Sequence, residues 1–323
     1  MRAGDHVLPT VSGAIVRPKT GVRLDAHGHA WIAPPSLADA SVPALTDEPR
    51  LAAGLARFAE AAAPRRAALL DCQAPGCGRD AAALARLAAK SGVAIAALTG
   101  FHLASSYPKG LRPWTTADAA LGTFVRELEG GLREAPMARA AAIKAAFTGT
   151  LEEGDPCWDG AIEACSRSGA LLVVHTEGGA GVEDLVEWLQ ARGVPPERLY
   201  LLHVDEREDA NLHLELARAG VLLGYASSLR DEDVSRAEPY ALLEHLLEAG
   251  MANSVALGLD LGAPTRWAAA GAEASATGPA ALITVVEARL QALGASPEDI
   301  DTLLGGSLLE RAARPEVPIG VRR

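Results

Sequence analysis

Short apolar segments of β-strand type alternate with longer amphipathic segments of helical period along most of the 323-residue chain. The eight candidate strands are GVRLDAH from Gly21, AALLDCQ from Ala67, VAIAALTG from Val93, AAAIKAAF from Ala140, ALLVVHTE from Ala170, LYLLHVDE from Leu199, GVLLGYA from Gly220 and SVALGLDLG from Ser254. Their nearly continuous apolar character is typical of parallel strands buried on both faces. Eight such strand–helix units predict an α/β protein with a (β/α)8 TIM barrel fold.

The helical segments between these strands carry their own stop signals. Four of them reach a glycine, at Gly92, Gly169, Gly193 and Gly220, and helices commonly end at glycine. The alternative architecture is a doubly wound open sheet. It is disfavoured because no GxGxxG turn follows the first strand.

The repeat leaves room for one domain only. We expect residues 1–323 to form a single barrel, preceded by a short arm or hairpin over about residues 1–20. The segment LGAPTRWAAAGAEASATGPA, which follows the eighth strand, is rich in Ala, Gly and Thr and is expected to be a long loop.

The net charge and composition of the chain exclude some classes of binding partner. The formal net charge of −11 argues against binding to nucleic acid or to an anionic membrane, so a small-molecule substrate is expected. The sequence contains no run of 18 apolar residues, so we expect no membrane span. The N-terminal residues do not resemble a signal peptide. The four cysteines have neither zinc-knuckle nor CxxC spacing, and reduced, buried thiols predict a cytoplasmic protein.

Polar residues that can bind metals stand at the carboxyl ends of the candidate strands. His27 and His29 are two residues apart, so in a strand both imidazoles would face one side. The other members of this set follow on later strands: Lys144, His175, His203 and Asp260. In a (β/α)8 barrel all strand ends open on one face, where catalytic groups gather. We therefore expect the six side chains to converge.

All members of this set except the lysine are common metal ligands. Imidazole and carboxylate suit zinc and similar divalent ions. The ammonium group of Lys144 has no lone pair for a metal, and its charge is costly to bury within an apolar strand. Carboxylation of the amine by carbon dioxide removes both difficulties, because a carbamate is anionic. Its two oxygens could bridge metals about 3.5–4 Å apart.

Longer stretches of the chain resemble a known family. TVSGAIVRPKTGVRLDAHGHA resembles the leader and His-x-His strand of the phosphotriesterase-like family of the amidohydrolase superfamily. DCQAPGCGRDAAALARLAAKSGVAIAALTGFH resembles its second and third units, and AAIKAAF resembles the strand with the bridging lysine. LLHVDEREDANLHLELARAGVLLGY resembles the sixth and seventh units, so the resemblance covers nearly the whole chain.

The resemblance implies a binuclear metal-dependent hydrolase. His27, His29 and Asp260 would hold the more buried ion, His175 and His203 the more exposed one, and N6-carboxylated Lys144 would bridge them. A hydroxide between the ions would be the nucleophile, and Asp260 would take its proton to the leaving group. Zinc is the expected ion, with manganese, cobalt or iron as alternatives. A homodimer is the expected assembly.

The chain departs from the family pattern in three places. Gly28 stands where the family usually has glutamate, and GGSLLE at Gly305 to Glu310 replaces an Asn-Pro in the last helix. After the sixth-strand histidine, Asp205 is followed by Glu206 before Arg207, whereas the family has Asp-Arg. None of these positions is an implied ligand.

Several residues keep two interpretations. Glu177 and Asp205 could orient ligand histidines or carry surface charge, Lys144 could extend to the surface, and Asp260 could cap a turn. The glycines and arginine of PGCGRD lack the Walker pattern and predict a turn and helix start. The candidate substrate contacts are His102, Tyr107, Arg230, Arg266 and Trp267.

The metal centre predicts the reaction type better than the substrate, because loops after the strands choose the substrate. The preferred hypothesis is cleavage of a lactone or carboxylic ester, with promiscuous phosphotriesterase activity. An N-acyl amino acid amidohydrolase, a catalytically inactive small-molecule-binding barrel and a metal-dependent nuclease barrel are the alternatives. The nuclease is disfavoured because such barrels have glutamate at the position of Lys144 and the chain is acidic.

Overall fold

The computed structural model describes residues 6–13, 15–16, 21–33, 44–151, 153–226, 229, 238–267 and 278–315. Eight parallel strands form the central sheet: β3 (Val22–Gly28), β4 (Arg66–Asp71), β5 (Ala94–Gly100), β6 (Ala142–Phe147), β7 (Leu172–Thr176), β8 (Leu199–Leu202), β9 (Leu222–Tyr225) and β10 (Val255–Leu257). They are hydrogen-bonded in chain order from β3 to β10. All eight predicted strands are confirmed, most of them shorter than the apolar runs.

The sheet curls until its first and last strands meet, which makes a nearly closed barrel. The backbone N–H of Asp260, just after β10, donates to the carbonyl oxygen of His27 in β3 at 2.6 Å. The N–H of Leu259 donates to Oδ1 of Asp25, also in β3, at 3.0 Å. These bonds join the two ends, so the predicted TIM barrel is confirmed and the open doubly wound sheet is wrong.

Helices cover the outside of the barrel. The described helices are α1 (Glu48–Ala62), α2 (Ala81–Ser91), α3 (Ala117–Glu129), α4 (Pro156–Ser168), α5 (Val182–Ala191), α6 (Ala210–Ala219), α7 (Glu238–Glu248), α8 (Ala288–Ala292), α9 (Pro297–Asp301) and α10 (Ser307–Ala312). Side chains cap several N-termini, as Asp80 does for α2. The predicted stops hold at Gly92, Gly169 and Gly220, which end α2, α4 and α6 with positive φ.

Two apolar layers hold the barrel and its helices together. Alternate strand residues, such as Leu24, Ala26, Leu70 and Val173, pack with one another in the barrel interior. The residues between them, such as Leu69, face outward and pack against the helices. The polar side chains predicted to bind metal lie above the interior layer, at the carboxyl ends of the strands.

The N-terminal segment belongs to a small second sheet. β1 (His6–Pro9) pairs antiparallel with β2 (Ile15–Val16) and with β11 (Arg314–Pro315), and Leu8 packs into the interior layer of the barrel. Of the predicted long loop over 261–280, Pro264–Trp267 and Gly278–Ala280 form 3-10 turns, and 268–277 lie outside the described residues. That the whole chain is one domain stays a prediction.

Candidate metal centre

His27 reaches the barrel interior through an irregularity in β3. Asp25 pairs with Leu69 of β4 and Gly28 pairs with Asp71, so β3 advances three residues while β4 advances two. One extra residue in a strand is a β-bulge, which re-aims the side chains around it. Strict alternation from Ala26 would turn His27 outward, whereas its ring lies 4.8 Å from that of His203.

The two histidines of the opening motif converge on one carboxylate oxygen. Oδ1 of Asp260 lies 3.6 Å from Nε2 of His27 and 3.2 Å from Nε2 of His29. The ligand atoms that the three residues offer all lie within 4.8 Å of one another. Since one metal ion contacts all its ligands at about 2 Å, this spacing suits a shared ion.

The remaining predicted ligands extend this group across the mouth. The ring of His203 lies 4.7 Å from that of His175, whose other neighbour is His102 at 5.0 Å. Lys144 is only 1% exposed in β6 and faces the same interior. Asp260 and Lys144 are close enough for their charges to interact. The structure thus brings all six predicted side chains together, while their roles as metal ligands stay a prediction.

Two members of the group have unusual backbone conformations. His203 follows the last residue of β8 with φ of 65°, and Asp260 lies beyond β10 with φ of 46°. A non-glycine residue in the left-handed region costs about 1–3 kcal/mol and persists where the surrounding structure enforces it. Sequence reasoning placed both residues at the strand ends, and the structure places them just past those ends.

Burial favours the neutral form of three of these imidazoles. It lowers the pKa of His27 well below its usual value and lowers the pKa values of His175 and His203 to about 3. Burial also lowers the pKa of Lys144. A neutral imidazole has a free lone pair on one ring nitrogen, which is the form that binds metals.

The donor set fits a pair of divalent ions. Four imidazoles and the carboxylate of Asp260 are the ligand types that zinc and similar ions prefer. Nδ1 of His27 and Nδ1 of His29 are buried and form no hydrogen bond within the described residues. A buried nitrogen without a partner is costly, so this arrangement is consistent with a site built around a further group.

Two buried aspartates that sequence reasoning missed hold the backbone around the first motif. Asp25 accepts the N–H of His27 at 3.1 Å, and burial raises the pKa of Asp25 to about 7. Asp71, at the end of β4, accepts the N–H of Ala30 at 2.7 Å and that of Gln73 at 3.2 Å. The available signal was a lone acidic residue within an apolar strand run.

Carboxylates also lie beside the more exposed histidines. Oε1 of Glu177 is 3.2 Å from Nε2 of His175, and Oε1 of Glu206 is 3.8 Å from Nδ1 of His203. The Glu177 side chain is 53% exposed, so both interpretations of this residue hold in part: it lies on the surface and contacts a candidate ligand. Asp205 is buried, and its Oδ2 accepts the N–H of Ala226 at 3.2 Å.

The candidate substrate contacts differ in placement. His102 lies beside His175, with its Nδ1 3.2 Å from Oγ of Ser106. Tyr107 is buried, and its hydroxyl accepts the N–H of His102 at 3.1 Å. Trp267 is buried too and donates to the carbonyl oxygen of Leu261 at 2.8 Å. Their burial favours a packing role for these two aromatic side chains.

The two arginines proposed for the substrate loops remain open. Arg266 is exposed after the eighth barrel strand, at the end of which Asp260 lies. Arg230 lies outside the described residues. A role of either arginine in binding substrate stays a prediction.

Two of the three departures from the family pattern have packing explanations. A side chain at Gly28 would place its Cβ 2.6 Å from Cγ of Leu69, so the outer-layer leucine takes that space. Gly305, in the segment that replaces the family's Asn-Pro, has φ of 143° and lies against Leu24 of β3. The turn prediction for PGCGRD is confirmed, because Asp80 caps α2 and Arg79 is buried against Glu127.

A (β/α)8 barrel that gathers imidazoles, a lysine and an aspartate at the carboxyl ends of its strands defines a metal-dependent hydrolase. The chain belongs to the phosphotriesterase family, whose family model matches residues 6–307. Members of this family generally depend on a binuclear metal centre. The resemblance drawn from the sequence motifs is thereby confirmed.

Solved structures of low sequence identity share the fold. A lactonase from Listeria monocytogenes superposes with a TM-score of 0.82 at 16% identity, over 97% of this chain and 100% of that chain. An amidohydrolase from Mycoplasma synoviae superposes with a TM-score of 0.81 at 19% identity, over 98% and 94%. No curated protein matches the chain. Within the described residues, no helix combines the length and apolarity needed to cross a membrane.

Proposed function

We propose that this protein is a binuclear metal-dependent hydrolase that cleaves a lactone or a carboxylic ester. The observation that carries the proposal is the convergence of His27, His29 and Asp260 on one point beside His203 and His175. His27, His29 and Asp260 hold the inner ion, and His175 and His203 hold the outer one. Zinc is the preferred ion, and manganese, cobalt and iron are the alternatives.

In this proposal Lys144, as a carbamate, would hold both ions. Its amine is buried, and desolvation outweighs the attraction of the Asp260 carboxylate. A buried ammonium with so little compensation is unfavourable, whereas a carbamate between two cations is compensated. The depressed pKa of Lys144, caused by burial, favours the uncharged amine that reacts with carbon dioxide.

The protein's own side chains would then handle the proton. When bound, the two ions supply a nucleophilic hydroxide and polarise the substrate's carbonyl oxygen. Asp260 accepts the proton of the nucleophile at its carboxylate and passes it to the leaving oxygen. His102 lies at the edge of the group and, when Ser106 donates to Nδ1, its Nε2 carries the hydrogen. In this proposal that N–H donates a hydrogen bond to the substrate.

A hydrolysis screen tests the choice of substrate. The chelator-stripped protein is reloaded with zinc or manganese and assayed against lactones, aryl esters, phosphotriesters and N-acyl amino acids. Fastest turnover of lactones or esters, with slower phosphotriester cleavage, is the expected result. Fastest cleavage of an N-acyl amino acid would instead support the amidohydrolase, for which the exposed Arg266 could bind the substrate carboxylate.

Metal analysis separates an enzyme from an inactive binding barrel. We expect about two divalent ions per chain. Asp260→Asn should retain most of the metal and lose about three orders of magnitude in kcat, because it removes the proton acceptor. Asp118→Asn, at an exposed position in α3, is the matched control and should behave as wild type. A folded wild-type protein without metal or turnover would contradict the proposal.

Three general properties complete the proposal. The chain forms a single barrel domain, assembles as a homodimer and works in the cytoplasm on a small-molecule substrate. Free, buried thiols at all four cysteines support a reducing compartment. Light scattering on the purified protein tests the dimer, and fractionation of the native cells tests the compartment.

A further inference from the structure

The side chain of Asp25 forms hydrogen bonds that explain the bulge in β3. Asp25 is completely buried, and its Oδ1 accepts two backbone hydrogen bonds. One comes from the N–H of His27 at 3.1 Å, and the other comes from the N–H of Leu259 at 3.0 Å. The same oxygen therefore holds the first barrel strand and the segment after the last one.

Both bonds involve amides next to residues of the proposed metal centre. The N–H of His27 would otherwise point at β4 and continue the ladder, which would keep regular alternation and turn the imidazole outward. Leu259 directly precedes Asp260, whose own N–H is bonded to the carbonyl oxygen of His27 at 2.6 Å. The backbone of His27 is thus fixed at both its N–H and its carbonyl group.

The second oxygen of Asp25 contributes little to this arrangement. Oδ2 is buried and forms no hydrogen bond with any described residue. The useful feature is therefore the acceptor at Oδ1, and not a pair of charged oxygens. This distinction makes a sharp test possible, because an asparagine side chain keeps one carbonyl acceptor of the same shape.

We propose that Asp25 is a positioning residue that turns His27 into the barrel and fixes it against Asp260, so that the inner metal ion is retained. The proposal rests on the proposed metal-binding function. Asp25 acts through His27 and Leu259 and does not contact the ion. Its removal should therefore affect the inner ion, held by His27, His29 and Asp260, more than the outer one.

The test compares Asp25→Ala with Asp25→Asn in the full-length protein. Each purified variant is titrated with Co²⁺ against a chelator, and the absorption of bound cobalt and the number of ions per chain are recorded. Asp25→Ala should bind one of the two ions at least 10-fold more weakly, because the His27 amide loses its acceptor. Asp25→Asn should bind both ions within about threefold of wild type.

Two further variants keep the test decisive. Leu222→Ala, in the interior layer at the start of β9, lowers stability without touching the bulge and should bind both ions normally. If Asp25→Ala does not fold, Asp25→Thr replaces it, since threonine suits a strand but its short hydroxyl cannot accept both amides. Selective loss of one ion in the alanine or threonine variant, together with rescue by asparagine, supports the proposal.

The contrary outcomes are distinct. Equal metal binding by wild type and Asp25→Ala would overturn the positioning role while leaving the hydrolase intact. Loss of metal in a folded Asp25→Asn protein would overturn it as well, because a carboxylate charge would then be needed. Absence of Co²⁺ binding in the wild type would refute the proposed function itself.

Discussion

The backbone N–H of Asp260 donates to the carbonyl oxygen of His27 at 2.6 Å, which fixes two candidate ligands of one metal ion against each other. These residues come from opposite ends of the barrel sheet. Closure of the barrel therefore also assembles the candidate inner metal site. The seam between β3 and β10 consists of the hydrogen bonds of Asp260 with His27 and of Leu259 with Asp25. A change that loosens this seam should weaken metal binding, even when no ligand is altered.

Gly258 offers a direct test of this seam. A Cβ at this position would lie 2.4 Å from the backbone nitrogen of His27, which cannot move without disturbing the bulge. Gly258→Ala should lower the unfolding free energy by about 1–3 kcal/mol and reduce the metal content. Chemical denaturation and metal analysis measure the two effects.

The control for this variant is Gly122→Ala in α3, where an added Cβ meets no atom within 4 Å. It should raise the unfolding free energy by about 0.5–1 kcal/mol, because alanine favours a helix more than glycine does. Normal metal content in Gly258→Ala would contradict the link between barrel closure and the metal site.

Carboxylation of Lys144 predicts that carbon dioxide takes part in metal loading. Metal-free protein reloaded with ¹³C-bicarbonate should show a carbamate signal by NMR, and Lys144→Met should lack the signal and bind fewer ions. Lys144→Glu restores an anionic bridge and should recover part of the metal content. An unchanged metal content in Lys144→Met would show that the lysine does not bridge the ions.

Glu177 should set the orientation of His175. Its Oε1 lies 3.2 Å from Nε2 of the imidazole, which directs the lone pair of Nδ1 away from the carboxylate. Glu177→Gln should weaken binding of the outer ion about 10–100-fold, as expected when the carboxylate partner of a ligand histidine is removed. Chelator competition followed by calorimetry measures the change.

Glu163→Gln is the matched control, because the side chain of Glu163 on α4 is 50% exposed and pairs with Arg167 at 2.6 Å. It should leave the affinities of both ions unchanged. Equal affinities in Glu177→Gln and wild type would assign Glu177 to surface charge alone.

The ion pair of Arg79 with Glu127 predicts a pH-dependent stability. Burial alone would raise the pKa of Glu127, but its hydrogen bonds and ion pair with Arg79 lower the pKa below the ordinary value of 4.5. The unfolded chain therefore takes up this proton first as the pH falls. The stabilisation is complete above pH 4.5 and is lost as the pH falls through the folded-state pKa.

Removing Arg79 breaks this pair together with its second ion pair, to Glu134. Arg79→Met should lower the unfolding free energy by about 3–5 kcal/mol at pH 7, because a buried carboxylate is left unpaired. The deficit should shrink towards pH 4, where Glu127 becomes protonated. Adding Glu127→Leu should restore most of the stability. Denaturation curves between pH 4 and pH 8 measure the difference in unfolding free energy between wild type and Arg79→Met. A difference that did not change with pH would contradict this account.

The sequence alone determined the architecture and predicted the ligand set. The burial of a strand or helix is visible in its own apolar pattern, which is a local property of the sequence. Eight apolar strand segments alternating with helical segments therefore sufficed to predict the barrel. Strand ends in such a barrel share one face, so polar residues at those ends were expected to form one site. These residues include His27, Lys144, His175, His203 and Asp260. The family resemblance rested on the same local motifs.

Only the tertiary structure decided how the ligands are aimed. The bulge before His27, the left-handed backbone of His203 and Asp260, and the contacts of Asp25 were absent from the sequence prediction. Regular alternation would have turned His27 outward, and its actual direction depends on hydrogen bonds to residues more than 200 positions away. Such contacts arise when the barrel closes, so no local pattern in the chain could reveal them.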